Sequence, residues 1–82
     1  MEVKFKLFAS LRDYLPNPSN SELDLEVDET ATPLDLMAKF SIPAESVHLI
    51  LVNGIYIAPD QAGENALAPG DVLALWPPIA GG

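Results

Sequence analysis

The chain has 82 residues, a length that fits one small domain. It has no cysteine, which excludes a disulfide scaffold, a thiolate metal site and a cysteine nucleophile, and favours a reduced, cytoplasmic setting. Its 12 acidic and 4 basic residues give a formal net charge of −8, which disfavours binding to nucleic acid or to an anionic membrane surface, and no apolar run approaches the ~20 residues of a membrane span.

Two segments near the amino end alternate between apolar and polar residues, which is the period of a half-buried strand. They cover residues 3–9 and 22–28, and a loop rich in proline and asparagine separates them at 16–20. The pattern predicts an antiparallel hairpin.

A helix is predicted to follow this hairpin. Thr32 is a suitable cap and Pro33 suits the first helical position. Ile42-Pro43 would stop the helix after about ten residues, because a residue that precedes proline is pushed out of the helical region. The apolar face is expected to contain Leu34, Met37, Ala38 and Ser41, with Leu36 and Phe40 beside them.

Three further strands are predicted in the second half. Residues 47–52 are nearly all apolar, which is typical of a central strand buried on both faces. Asn53-Gly54 is a strong hairpin signal, and it leads into a short strand at 55–57. The last strand, at 72–76, ends at a proline pair, since proline cannot donate to a ladder.

These elements predict an α+β domain over residues 1–76, followed by an extended tail over residues 77–82. One helix can cover only one face of a sheet. We therefore expect a single mixed sheet of four to five strands with the helix packed on one of its faces.

Few side chains in the sequence suit catalysis. His48 lies among aliphatic residues, where a histidine with one hydrogen bond in the core or at a strand edge is the simplest interpretation. Carboxylates recur at 22, 24, 26 and 28, but strand neighbours at i and i+2 stand ~7 Å apart, too far to chelate one ion. We interpret this row as a solvated face that discourages edge pairing, with a docking surface for a basic partner as the alternative. No metal site is predicted.

The carboxyl end has the most distinctive composition. Pro77 and Pro78 hold the chain extended, and six residues can reach at most roughly 20 Å. Ile79 can anchor the segment in an apolar pocket, while Gly81 and Gly82 lack a Cβ and can thread a narrow channel. A frayed tail is the alternative, but it does not account for this combination of residues.

Two motifs support a family resemblance. The ending Trp76-Pro77-Pro78-Ile79-Ala80-Gly81-Gly82 and the segment Leu7-Phe8-Ala9-Ser10-Leu11-Arg12-Asp13 are similar to those of the ubiquitin-like β-grasp sulfur carriers. Among these carriers, the sequence most resembles the small subunit of molybdopterin synthase. It departs from the usual pattern in having Trp76 for phenylalanine and Ile79 for valine, and both changes keep the apolar character.

The resemblance implies a non-catalytic carrier that binds no cofactor of its own. An adenylyltransferase related to the ubiquitin-activating enzyme would use ATP to adenylate Gly82, and a persulfide would convert the adenylate to a thiocarboxylate. The tail residues Pro77, Pro78, Ile79, Ala80 and Gly81 would thread the active site of the partner. The molybdopterin synthase large subunit would then receive the sulfur for the molybdenum or tungsten cofactor.

The expected partner surface is an apolar patch on the last strand and the central hairpin. Its candidate residues are Trp76, Leu75 and Tyr56, with Arg12 as a further interface candidate. Two alternative functions share the same tail. One is a sulfur carrier for thiazole or cysteine synthesis, and the other is a ubiquitin-like modifier joined through Gly82 to lysines of target proteins.

Overall fold

The computed structural model of the chain describes residues 1–17 and 19–78. The predicted tail residues Ile79, Ala80, Gly81 and Gly82 lie outside the described residues, as does Pro18. The elements within the described ranges are five strands, β1 (Glu2–Leu7), β2 (Glu22–Glu26), β3 (Leu49–Val52), β4 (Ile55–Tyr56) and β5 (Val72–Trp76), one α-helix, α1 (Pro33–Lys39), and three 3₁₀ helices (Ala9–Tyr14, Ala44–Ser46 and Pro59–Gln61).

The five strands form one mixed sheet in the order β2-β1-β5-β3-β4. The predicted hairpin of β1 and β2 is confirmed as antiparallel, and β3 is antiparallel to both β4 and β5. The central pair, β1 and β5, runs parallel although the two strands lie at opposite ends of the sequence. The predicted α+β class, with one sheet and one main helix, is confirmed.

The hairpin between β3 and β4 has the predicted turn. Asn53 and Gly54 have φ angles of 53° and 82°, and positive φ at both central positions is what a type I′ turn requires. The Asn53 side chain also accepts a hydrogen bond from the backbone N–H of Val72 at 2.9 Å and donates one to Asp71 at 2.9 Å. The turn is thereby fastened to the start of β5.

Helix α1 begins with the predicted cap. The Thr32 hydroxyl accepts a hydrogen bond from the backbone N–H of Asp35 at 3.2 Å, and the Asp35 carboxylate accepts one from the backbone N–H of Thr32 at 3.0 Å. This reciprocal pair is a capping box. The helix has seven residues rather than the ten predicted, because Ser41 adopts a left-handed conformation (φ 59°) before Pro43 is reached.

The predicted apolar face of α1 is confirmed for Met37, Leu36 and Phe40 and was wrong for Leu34, Ala38 and Ser41, which are exposed. Leu34 is 44% exposed, whereas Pro33, Leu36 and Met37 are buried. Phe40 continues the same face, and its ring stacks on Phe5 at a centroid distance of 5.2 Å. The spacing 33, 36, 37 and 40 follows one side of a helix, so the proline at the first position belongs to the packed face.

The hydrophobic core lies between α1 and one face of the sheet. Its largest fully buried side chains are Val3, Phe5, Leu7, Leu11, Leu36, Leu73 and Leu75. The expectation that the strand at 47–52 is buried on both faces was wrong. The strand begins only at Leu49, and Ile50 is its one buried residue. Within the described ranges, none of the helices has both the length and the apolar composition of a membrane span.

The capping box leads to a stability prediction. Thr32→Ala leaves the backbone N–H of Asp35 without its acceptor, and we expect the free energy of unfolding to fall by about 1 kcal/mol. Urea denaturation followed by circular dichroism measures this change. Thr30→Ala is the matched control, because Thr30 is exposed and precedes the helix; an equal loss in both variants would contradict a role for the cap.

Candidate functional site

The strand that precedes the proline pair lies in the middle of the sheet. Strand β5 ends at Trp76 between β1 and β3. On one side the backbone N–H of Phe8 donates to the carbonyl of Leu75 at 3.2 Å, and on the other the N–H of His48 donates to the carbonyl of Trp76 at 2.7 Å. The last residues of β5 are therefore held from both sides up to the point where the proline pair begins.

Pro77 explains why the central pairing stops there. In the parallel β1–β5 ladder, a residue that donates its N–H to one β5 carbonyl accepts at its own carbonyl from the N–H two positions further along β5. Phe8 donates to Leu75, so its carbonyl would accept from residue 77. Proline has no N–H to donate. The ladder therefore ends at Pro77.

An aromatic pair marks the root of the tail. The rings of Phe8 and Trp76 stack at a centroid distance of 3.9 Å with an interplanar angle of 4°. Ala9 has a φ of 52°, so the chain turns sharply directly after Phe8 into the first 3₁₀ helix. The short alanine side chain makes this left-handed conformation less costly than a bulky one would. The turn leaves Phe8 beside Trp76, where it fixes the indole at the end of β5.

The sheet face turned away from α1, here called the open face, is apolar over β5, β3 and β4. The strand register places Ala74 beside Leu51, and Leu51 beside Tyr56. It also places Leu49 beside Trp76. Tyr56 and Trp76 are 55% and 39% exposed. The result is a continuous apolar strip that begins at the root of the tail, and among the described residues no helix covers it.

The open face is charged over β1 and β2. Lys4 lies 3.3 Å from a carboxylate oxygen of Asp24 and 3.6 Å from one of Glu22, and Lys6 lies 3.7 Å from Glu22. A hydrogen bond to Asp24, together with the charges of Asp24 and Glu22, raises the pKa of Lys4. These groups are exposed, so each pair contributes little to stability. Their effect is to divide the face into an apolar half and a charged half.

The structure corrects one of the predicted interface residues. Trp76 and Tyr56 both lie on the apolar half of the open face, as required of contact residues. Leu75 faces the other way and is fully buried in the core, so the prediction that it contributes to a surface patch was wrong. The physical reason is the period of two along β5, which gives successive side chains to opposite faces.

Arg12 lies apart from the apolar strip. It belongs to the first 3₁₀ helix and donates a hydrogen bond to the carbonyl of Ser19 at 3.3 Å. This bond links the helix to the loop before β2. Its predicted contact with a partner stays a prediction.

The remaining chemistry-bearing residues are dispersed. The His48 side chain is exposed, and its backbone N–H makes the contact with β5 described above. Within residues 1–17 and 19–78, no group of three or more histidine, aspartate or glutamate side chains could hold a metal ion. The carboxylates of Glu22 and Asp24 instead pair with lysines across the β1–β2 hairpin.

Sequence reasoning missed three members of the open face, Phe8, Leu49 and Leu51. The signal for Phe8 was present, because Lys4, Lys6 and Phe8 alternate along one face of the first strand. The signal for Leu49 and Leu51 was hidden, since an uninterrupted apolar run does not show which of its residues face solvent.

A groove runs beside the root of the tail, and we call it the exit groove. The first 3₁₀ helix lines one side through Leu11, Asp13 and Tyr14, and the second 3₁₀ helix lines the other through Glu45. Pro77 lies along it. The groove measures about 500 Å³ and is open to solvent. No pattern in the sequence predicts this groove, because its two walls are separated by more than thirty positions.

Comparison with known proteins identifies a family. The model of the ThiS family matches residues 5–82, which is nearly the whole chain. No curated protein matches the sequence significantly.

Several solved structures share the fold over almost their full length. SAMP1 from Haloferax volcanii is 30% identical with a TM-score of 0.70, and the match covers 100% of both chains. A putative molybdopterin converting factor subunit 1 from Pyrococcus furiosus is 26% identical with a TM-score of 0.69, covering 95% of this chain and 98% of the other. Subunit 1 from a complex of subunits 1 and 2 of the molybdopterin-converting factor of Helicobacter pylori is similar in fold, at 21% identity and a TM-score of 0.64, with 100% of both chains covered.

The aromatic pair at the tail root leads to a second prediction. A double-mutant cycle with Phe8→Leu and Trp76→Leu should give a coupling energy of about 0.5–1.5 kcal/mol, since stacked rings contribute beyond the area they bury. Urea denaturation of the four proteins measures it. A cycle that pairs Phe8→Leu with Tyr56→Leu is the control, because β4 lies three strands away from β1. A similar coupling in both cycles would mean that the stack has no specific energy.

Proposed function

Since this chain belongs to the ThiS family, we propose that it is a ubiquitin-like sulfur carrier whose Gly82 becomes a thiocarboxylate and donates sulfur to molybdopterin synthesis. The observation that carries the proposal is the place where β5 ends. This strand stops in the middle of the sheet, two prolines follow it beside an exposed apolar strip, and the sequence then runs to Gly81-Gly82. Such an arrangement suits a protein that docks by one face and offers its end to another protein's active site.

The proposed chemistry starts from a carboxylate, which is a poor electrophile. In the activating enzyme, a carboxylate oxygen of Gly82 attacks the α-phosphorus of ATP and pyrophosphate leaves. The resulting acyl-adenylate is attacked at its carbonyl carbon by a persulfide sulfur, and AMP leaves. A thiol then cleaves the remaining sulfur–sulfur bond and is oxidised to a disulfide, which releases the thiocarboxylate. In these steps this chain supplies the acyl group, and the partner supplies ATP and sulfur.

The chain's own residues would act by position. Pro77 and Pro78 hold the start of the tail extended, and Gly81 keeps the segment before the reacting carbonyl narrow. Trp76 and Tyr56 would supply apolar contact area for the adenylyltransferase and, in turn, for a large subunit. The Helicobacter pylori protein is described in complex with a second subunit, which supports a two-subunit assembly. We place both steps in the cytoplasm, where thiols and persulfides stay reduced.

The test is the intact mass of the protein recovered from its native cells. We expect a fraction heavier by the replacement of one oxygen with sulfur, and we expect fragmentation to locate the change at Gly82. Deletion of Gly82, or addition of one residue after it, should abolish the heavier species while leaving the circular dichroism spectrum unchanged. Glu64→Gln is the control and should retain it, because Glu64 is an exposed loop residue. Sulfur incorporation without Gly82 would contradict the proposal.

The acceptor is tested separately. Incubation of the thiocarboxylate form with a molybdopterin synthase large subunit and its pterin precursor should produce molybdopterin. Transfer only to a thiazole or cysteine precursor would leave the carrier role intact and change the pathway.

A second function has its own support. SAMP1 is a small archaeal modifier protein, and the Haloferax volcanii structure is 30% identical to this chain over its full length. In a modifier, a lysine amine of a target protein would attack the activated Gly82 carbonyl and form an amide bond. Conjugates heavier than the free chain, lost on deletion of Gly82 and carrying a Gly82–lysine amide by mass spectrometry, would support this role. Their absence would favour the carrier role alone.

A further inference from the structure

The exit groove is not needed for docking through the open face. Its floor includes Leu11, which is only 2% exposed, and Tyr14 stands in its wall at 36% exposure. Pro77 and Pro78 border it, so the groove lies directly beside the first two residues after β5. Anything that binds the tail close to its root therefore also meets this groove.

Each wall of the groove carries a carboxylate. Asp13 lies on the first 3₁₀ helix and Glu45 on the second. Both are exposed, and within residues 1–17 and 19–78 neither side chain forms an ion pair or a hydrogen bond. Asp13 and Glu45 differ in this respect from Glu22 and Asp24, whose negative charges are balanced by a nearby lysine. The negative potential at the tail root is therefore available to a partner.

We propose that the exit groove receives an arginine or lysine side chain of the activating enzyme, between Asp13 and Glu45, as the tail enters the nucleotide site. The inference rests on the proposed function and adds to it the chemistry of the partner surface. An enzyme that binds ATP must present cationic groups to the triphosphate. The tail reaches at most roughly 20 Å, so the groove meets the rim of that cationic site.

The groove suits a basic side chain in charge. Asp13 and Glu45 both line it, and each carboxylate can accept a charge-assisted hydrogen bond from an arginine or a lysine. The exposed ring of Tyr14 offers a face for the same cation. A second copy of this chain fits poorly, because it has 12 acidic residues and only 4 basic ones.

Asp13 and Glu45 are therefore positioning residues. They would attract and orient the partner before the reaction, and they would not contact the reacting carbonyl. Neutralising them should slow association and raise KM while leaving kcat unchanged. The effect should weaken as salt increases, since the charges are exposed and become screened.

The kinetic test measures ATP–pyrophosphate exchange by the adenylyltransferase that co-purifies with the wild-type chain. We expect Asp13→Asn combined with Glu45→Gln to raise KM for the carrier about tenfold at low ionic strength, and the difference should shrink at high salt. The matched control combines Asp60→Asn with Glu64→Gln. It removes the same charge near Gln61, which lines a hollow at the start of β5, at the end opposite the tail. Equal KM values in the two double variants would overturn the inference.

A second measurement does not depend on the proposed function. The ¹⁵N-labelled full chain is titrated with the blocked peptide acetyl-Gly-Arg-Arg-Gly-amide and followed by NMR. We expect the largest shifts at the amides of 13, 14, 45 and 46, lost in the groove variant and kept in the control. Shifts spread over all carboxylates would overturn the inference. If the wild-type chain supports no exchange with ATP, the proposed function fails, and the titration still decides whether the groove binds a basic side chain.

Discussion

One missing hydrogen bond organises the functional end of this molecule. The carbonyl of Phe8 stands where the next rung of the central ladder would form, and position 77 holds a proline that cannot donate to it. Without that rung, β5 stops at Trp76 although it is flanked by a strand on either side. The core ends one residue earlier, at the fully buried Leu75. The last fully buried residue of β5 and the proline that ends the ladder are therefore only two positions apart.

One face of the sheet forms the core, and the other face is exposed and available for contact with other proteins. One face packs on α1 and contains the fully buried side chains of β1 and β5. The other combines an apolar strip near the tail with a charged half on β1 and β2. An apolar surface by itself invites non-specific association, and the surrounding negative charge limits it, since molecules of net charge −8 repel one another. The chain can thus expose the apolar strip with limited self-association, and it still favours partners that have a complementary charge.

Elements with local signals were predictable from the sequence, and features formed by distant segments were not. The Thr32 cap, the Asn53-Gly54 turn and the end of β5 at Pro77 each depend on a few adjacent residues. Leu34 was wrongly assigned to the packed face of α1, because it has the same side chain as Leu36 and only tertiary packing decides which one is buried. The buried and exposed faces of β3 could not be told apart, because the whole segment is apolar.

The candidate site divides in the same way. The exposure of Trp76 and Tyr56 was predictable from the motif at the end of β5 and from the hairpin. Leu75 was wrongly placed on the same surface as Trp76, although adjacent residues of a strand face opposite sides of the sheet. The exit groove depends on two 3₁₀ helices that only the folded sheet brings together, and no pattern within either segment reveals it.

The parallel pairing of β1 with β5 also affects when the surface beside Pro77 forms during folding. The strand that carries the tail lies between the first strand of the chain and β3, and its register with β1 joins residues nearly seventy positions apart. Contacts of such long range form late, because the closure entropy of the intervening chain must be overcome first. An incompletely folded chain therefore lacks the stacked Phe8–Trp76 pair, the apolar strip and the groove together. An enzyme that must bind these features before it reacts with the tail can bind only molecules whose whole domain is folded. Incompletely folded molecules would then not enter the activation step.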